Sequence, residues 1–74
     1  MDIGTAIKEI RIKSLLSQAD FAQEIGVSFS TVNRWENGKA VPGFKAIKRI
    51  KEFCLANKIE FTIDSYIKKQ IELE

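Results

Sequence analysis

The sequence has no histidine and one cysteine, Cys54, and those two shortages remove most enzyme chemistry at once. A lone cysteine forms no intramolecular disulfide, and without histidine the common zinc sites and every nucleophile–histidine pair are excluded. Nor do paired carboxylates mark a convergent pocket. Long apolar runs are missing too: nothing approaches the roughly twenty residues of a membrane-spanning helix, and Met1 to Lys13 lacks the apolar core of a secretory leader. The expectation is a cytoplasmic protein in a reducing compartment, with no metal, no cofactor and no membrane. With one proline, four glycines and no serine- or glycine-rich linker, the 74 residues read as one small domain whose core must be thin. Binding modules are the class that survives.

Charge of one sign is also scarce, since twelve basic against ten acidic residues leave only +2. The distribution is more informative. Met1 to Lys58 carries ten basic and six acidic residues, whereas Ile59 to Glu74 carries two and four. The first part can face a polyanion and the tail cannot.

What is present is a series of helical stripes separated by short turn signals. Ile3, Ile7 and Ile10 recur at the spacing of one helical face. Ser17 followed by Asp20 has the capping-box spacing, after which Phe21, Ala22 and Ile25 form an apolar face that stops at Gly26. Ser28 is a second capping residue; beyond it Val32 and Trp35 lie on one side, and Phe29, Ser30, Asn33 and Arg34 on the other. Asn37-Gly38 ends that element. Pro42 and Gly43 open a fourth helix with a core face of Phe44, Ile47, Ile50 and either Phe53 or Cys54. The stretch 59–63 alternates like a strand, while Ile63, Ile67 and Ile71 also stripe a last helix; we favour a helix over 64–72 and a connection over 59–63.

Two helices joined by a turn of three or four residues need a small residue where they cross, a residue tolerating positive φ in the turn, and apolar residues to fill the angle. Ala22, Gly26 and the set Val27, Val32 and Trp35 meet those needs in order. The opposite face of the second helix is left free. Core packing is the reading for Phe21 and Trp35, and Cys54 reads as a small buried hydrophobe. For Lys45, Lys48 and Arg49, a solvated face and a phosphate-contacting patch stay equally open.

The segment LSQADFAQEIGVSFSTVNRWENGKAVP, from Leu16 to Pro42, resembles the helix-turn-helix of the phage Cro and repressor family of transcriptional regulators. The resemblance covers about residues 3–57 and rests on the combination of S-Q, A-x-x-x-G, W-E-N-G-K and the proline. It implies an all-α bundle of four to five short helices with a central helix-turn-helix at about 17–37, in a DNA-binding domain spanning 1–58. Residues 59–74 then form a C-terminal extension. It further implies that the helix at about 28–37 enters the DNA major groove, with Phe29, Ser30, Asn33 and Arg34 facing bases. Gln18, Ser28, Thr31, Asn37, Lys39, Gly43 and Phe44 would contact the DNA backbone, Gln18 at a position that can also brace a base-reading side chain, and Arg11 and Glu36 would form a structural ion pair.

Arg34 is suited to a G·C pair, because a guanidinium donates two bonds to guanine O6 and N7. Phe29 departs from the polar residue usual at its position and is suited to a thymine methyl. Ala40, Val41 and Gly43 replace the basic residues with which some relatives probe the minor groove, so little minor-groove reading is expected. The partner is then double-stranded DNA with a near-palindromic operator, bound by a homodimer joined through Ile63, Tyr66, Ile67 and Ile71. A bacterial or phage regulator acting by promoter occlusion, with no room for an effector domain, is the leading expectation. Antitoxins and controllers of restriction–modification operons share this size and fold. A protein-interaction module using Phe29 and the C-terminal stripe is the alternative from another class.

Overall fold

The computed structural model describes residues 2–60. They form four helices, α1 (Ile3–Lys13), α2 (Gln18–Ile25), α3 (Phe29–Glu36) and α4 (Phe44–Ala56), with no strand among the described residues. The expected helix over 64–72, with Ile63, Tyr66, Ile67 and Ile71, lies outside the described residues, as do residues 61–63 of the expected connection.

Each of the first three helices starts where a short polar side chain satisfies an orphan amide. Asp2 accepts from the Thr5 amide (2.7 Å), Ser17 from that of Asp20 (3.0 Å) and Ser28 from that of Thr31 (3.1 Å). The helix ends share a device as well. α1, α3 and α4 each close with paired backbone bonds around one left-handed residue: Leu15 (φ 60°), Gly38 (φ 72°) and Lys58 (φ 57°). At Leu15 the amide of the next residue, Leu16, reaches back to the Arg11 carbonyl (3.3 Å). This bend turns Leu15 outward, 92% exposed, and returns Leu16 to the core. Ile59 returns to the core after Lys58 in the same way.

The stripes meet in one cluster. Ile3, Ala6, Ile7 and Ile10 of α1 pack with Phe21, Ala22 and Ile25 of α2, Val32 and Trp35 of α3, and Ile47, Ile50 and Cys54 of α4. Cys54 is fully buried and its thiol is pushed up to about 11 by desolvation, so it stays protonated and serves as a packing residue. Phe53 is partly buried, its ring edge-on to Phe21 with centroids 5.5 Å apart. Phe44 corrects the sequence reading. Expected on the core face, it is 59% exposed. Periodicity gives the angle of a side chain around its helix but not how far along the axis a neighbour extends; Phe44 occupies the first turn of α4, one turn before the stripe becomes covered at Ile47.

Two backbone positions set how tightly the helices approach. Gly26 ends α2 in the left-handed region (φ 83°), and its carbonyl and that of Ile25 accept from the Arg49 guanidinium at 3.3 Å each. Gly4, inside α1, lies against the end of α3, where a Cβ would overlap the Trp35 carbonyl oxygen. Helix propensity alone favours alanine over glycine there by roughly 0.5–1 kcal/mol. A net loss would therefore report the close approach: Gly4→Ala should destabilise the domain by about 1–2 kcal/mol in urea unfolding. Leu15→Gly should do the opposite, raising stability by about 0.5–1 kcal/mol through relief of the left-handed strain, with α1 otherwise unchanged by circular dichroism.

Candidate nucleic-acid interface

α3 is eight residues long, too short to persist alone, and it is held by one side only. Val32 and Trp35 are 0% and 3% exposed, whereas Phe29, Ser30 and Arg34 face solvent. Phe29 is 52% exposed, although a large apolar residue at the first turn could have folded inward. The Arg34 guanidinium makes no hydrogen bond to a protein group among the described residues, while its backbone carbonyl accepts from the Lys39 amide. The Ser28 hydroxyl is shared between the Thr31 amide and the Thr31 hydroxyl (2.8 Å), so both side chains are committed to starting the helix.

Beneath the exposed face runs a chain of polar contacts. Arg11 donates Nε and Nη2 to the two carboxylate oxygens of Glu36 at 2.7 and 3.0 Å, a two-pronged pair, and Nη1 to the Leu16 carbonyl at 2.9 Å. The Arg11 and Glu36 side chains are 14% and 4% exposed. Gln18, the first residue of α2, donates Nε2 to Glu36 Oε1 (3.1 Å), and its Oε1 accepts from Asn33 Nδ2 (3.2 Å). Asn37 donates Nδ2 to the Asn33 carbonyl (2.9 Å) and to Asn33 Oδ1 (3.2 Å). The chain thus links α1, the start of α2 and the second half of α3, and it includes Asn33, a half-buried residue of the exposed face. The family resemblance points to Gln18 and the exposed side of the helix to Asn33, without saying that the two meet; the bond from Gln18 to Glu36 spans 18 residues and has no local signal.

The other expected backbone contacts lie after α3. Lys39 is exposed, with its amide bonded to the Arg34 carbonyl (2.9 Å). Gly43 precedes α4 as its cap and supplies no side-chain bond, so the first amides of α4 have none of the capping that the other three helices receive. Phe44 is exposed beside them. Lys45 and Lys48 are also exposed, while Arg49 is bonded to the end of α2. Among the described residues no cluster of His, Cys, Asp or Glu could hold a metal ion, and no helix is long and apolar enough to cross a membrane.

Residues 7–54 match the helix-turn-helix family model. The chain belongs to the Cro/C1-type helix-turn-helix family. This domain is of the DNA-binding, transcription-regulating kind. It is similar to the HTH-type transcriptional activator BcrR of Enterococcus faecalis, 28% identical over 67 residues, which cover 90% of this chain and 30% of that protein. The chain thus spans about a third of that relative's length. No solved structure matches it significantly.

Within the helix-turn-helix domain, Glu36 carries the main electrostatic constraint. Burial pushes its carboxyl up, but the hydrogen bonds from Arg11 and Gln18 together with the Arg11 charge outweigh that and hold it below the ordinary value of 4.5. The Arg11 guanidinium is correspondingly raised, chiefly by its bond to Glu36. Because the folded-state carboxyl is depressed, its contribution to stability is complete above the unfolded value near 4.5 and is lost as pH falls through the folded one. Arg11→Met should cost about 3 kcal/mol at pH 7 by leaving a buried charge unpaired, and that cost should shrink as unfolding is measured from pH 5 down to pH 3.

Proposed function

We propose that this domain binds double-stranded DNA sequence-specifically by laying α3 in the major groove, and that it regulates transcription by occupying a promoter. One observation carries the reading: α3 is anchored through Val32 and Trp35 while Phe29, Ser30 and Arg34, with Asn33 between them, occupy its outer side. Phe29, Ser30, Asn33 and Arg34 then address bases. Gln18, at the start of α2, the hydroxyl-capped turn at Ser28 and Thr31, and the segment of Asn37, Lys39, Gly43 and Phe44 address the sugar–phosphate backbone. The uncapped first amides of α4 suit a phosphate oxygen, since a helix N-terminus is partly positive.

Arg34 is the arginine of this chain best placed for base reading. The other two are Arg11 and Arg49, and both donate to protein acceptors. A guanine beneath Arg34 would be favoured over other bases by about 1–3 kcal/mol. The function requires no catalytic step, and we assign the domain no enzymatic role and no cofactor. It acts in the bacterial cytoplasm, where the DNA is.

With four more basic than acidic residues over Met1 to Lys58, one domain is weakly attracted to DNA, so two copies on a near-palindrome suit the charge. The Ile63, Ile67 and Ile71 stripe with Tyr66 is the segment we assign to that pairing. A near-palindrome with half-sites about one DNA turn apart, roughly 34–36 Å, is the corresponding operator.

Selection from a random duplex library should enrich one motif. Arg34→Ala should relax a single G·C position of that motif, with affinity for the best site falling by about 1–3 kcal/mol. Lys39→Ala should weaken all sequences alike and lower the salt slope by about 1. Sedimentation on the selected duplex should find two copies of the chain; one copy would remove the dimer.

A further inference from the structure

The polar chain beneath α3 has a direction, and the direction is set by chemistry. A carboxylate only accepts, so Gln18 must turn its Nε2 toward Glu36 (3.1 Å) and its Oε1 toward Asn33. Asn33 must in turn offer its Nδ2 to Gln18 (3.2 Å). From the other side, Asn37 meets the Asn33 backbone carbonyl at 2.9 Å, and a carbonyl also only accepts. The nitrogen of Asn37 is therefore the atom that faces Asn33 Oδ1 (3.2 Å). Two fixed neighbours thus demand the same orientation of the Asn33 amide, nitrogen toward Gln18 and oxygen toward Asn37.

The geometry points to Glu36 as a positioning residue for base recognition: through Gln18 its carboxylate fixes the Asn33 amide so that Asn33 reads adenine. This rests on the reading of α3 as the DNA-facing helix. One of the two N–H groups of Asn33 Nδ2 is committed to Gln18, which leaves one donor, and Oδ1 keeps a lone pair beyond the one used by Asn37. One donor beside one acceptor complements adenine, which presents N7 as acceptor and the N6 amino group as donor. Guanine presents two acceptors and would need both N–H groups, one of which is already engaged. Arg11 belongs to the device indirectly, because its two bonds keep Glu36 ionised and in place.

Two measurements test this, one of them without DNA. Asn33→Asp sets a carboxylate oxygen against Gln18 Oε1. If Glu36 holds Gln18, that substitution should lower the folding equilibrium constant more in the wild-type background than in the Gln18→Met background, by on the order of tenfold. If Gln18 is free to turn, it donates to the new carboxylate and the substitution is milder with Gln18 present; that sign overturns the proposal. In library selection on the full chain, the position that Asn33→Ala relaxes should be an A·T pair. Gln18→Met, which leaves the Arg11–Glu36 pair intact, should reduce the adenine preference there on the order of tenfold while the Arg34-dependent position keeps its preference. Another base at that position, or a loss under Gln18→Met spread equally over all positions, overturns the proposal. If the wild-type chain enriches no sequence at all, the DNA reading itself falls and the adenine assignment with it, whatever the sign of the unfolding measurement.

Discussion

A charge buried at the end of a short helix allows few arrangements around it, and the Arg11–Glu36 pair is the constraint on which the rest of this domain turns. Apolar contacts tolerate small rotations and slides, because their energy depends on area and not on direction. A two-pronged guanidinium–carboxylate pair at 2.7 and 3.0 Å does not. Such a pair adds little net stability, since desolvating two charges offsets much of their attraction. Its contribution here is angular. Glu36 is the last residue of α3, Arg11 lies near the end of α1, and the same arginine holds the Leu16 carbonyl of the turn between α1 and α2. Three elements are indexed to one another, and the rotation of α3 about its axis is set.

That rotation matters because the remainder of α3 has so little to hold it. Eight residues supply two buried apolar side chains, Val32 and Trp35, and a helix of that length has no independent stability. The scaffold compensates in compact ways. Asp2, Ser17 and Ser28 satisfy the helix starts, left-handed residues close the ends, and Arg49 donates to the last carbonyls of α2, where a cation meets the negative end of the helix dipole. Gly4 lets α1 come against the end of α3 at a distance no other residue permits. The exposed face can then carry residues chosen for contact with something else.

The stripes and caps were legible from the residues alone because both are local: Ser17 three before Asp20, Val32 three before Trp35, Gly26 where an apolar face stops. Phe44 was misplaced because a helical period records orientation and not the reach of the neighbouring helix. The close contact at Gly4 gave no sign, since α1 and the end of α3 are 31 residues apart in the chain and a glycine inside a helical pattern reads only as a weak spot. Leu15 was equally silent: leucine is uncommon in the left-handed region, so nothing in its identity announces the bend that separates it from Leu16. In the site, the family resemblance implies the Arg11–Glu36 pair and a bracing role for Gln18, but the link from Glu36 through Gln18 to Asn33 is not legible in the residues, because each step depends on which end of an amide faces which neighbour.

The division of the three arginines gives the proposed interface its character. Arg11 is spent on a carboxylate that offsets its charge, whereas Arg49 donates to neutral backbone carbonyls, which hold its side chain in the scaffold and leave its charge in place. Attraction to phosphate then falls to Arg49, to exposed lysines such as Lys39, Lys45 and Lys48 and to backbone amides, while six acidic residues over Met1 to Lys58 oppose it. When non-specific attraction is weak, discrimination between sites depends more heavily on contacts that only the right bases satisfy. An Arg34 free to donate two bonds and an Asn33 amide held in one orientation are suited to that task, since a fixed donor and acceptor reject a wrong base by leaving it unpaired. A firmly indexed α3 and a modest net charge are therefore two parts of one physical arrangement: the first sharpens base contacts, and the second leaves the affinity resting on them.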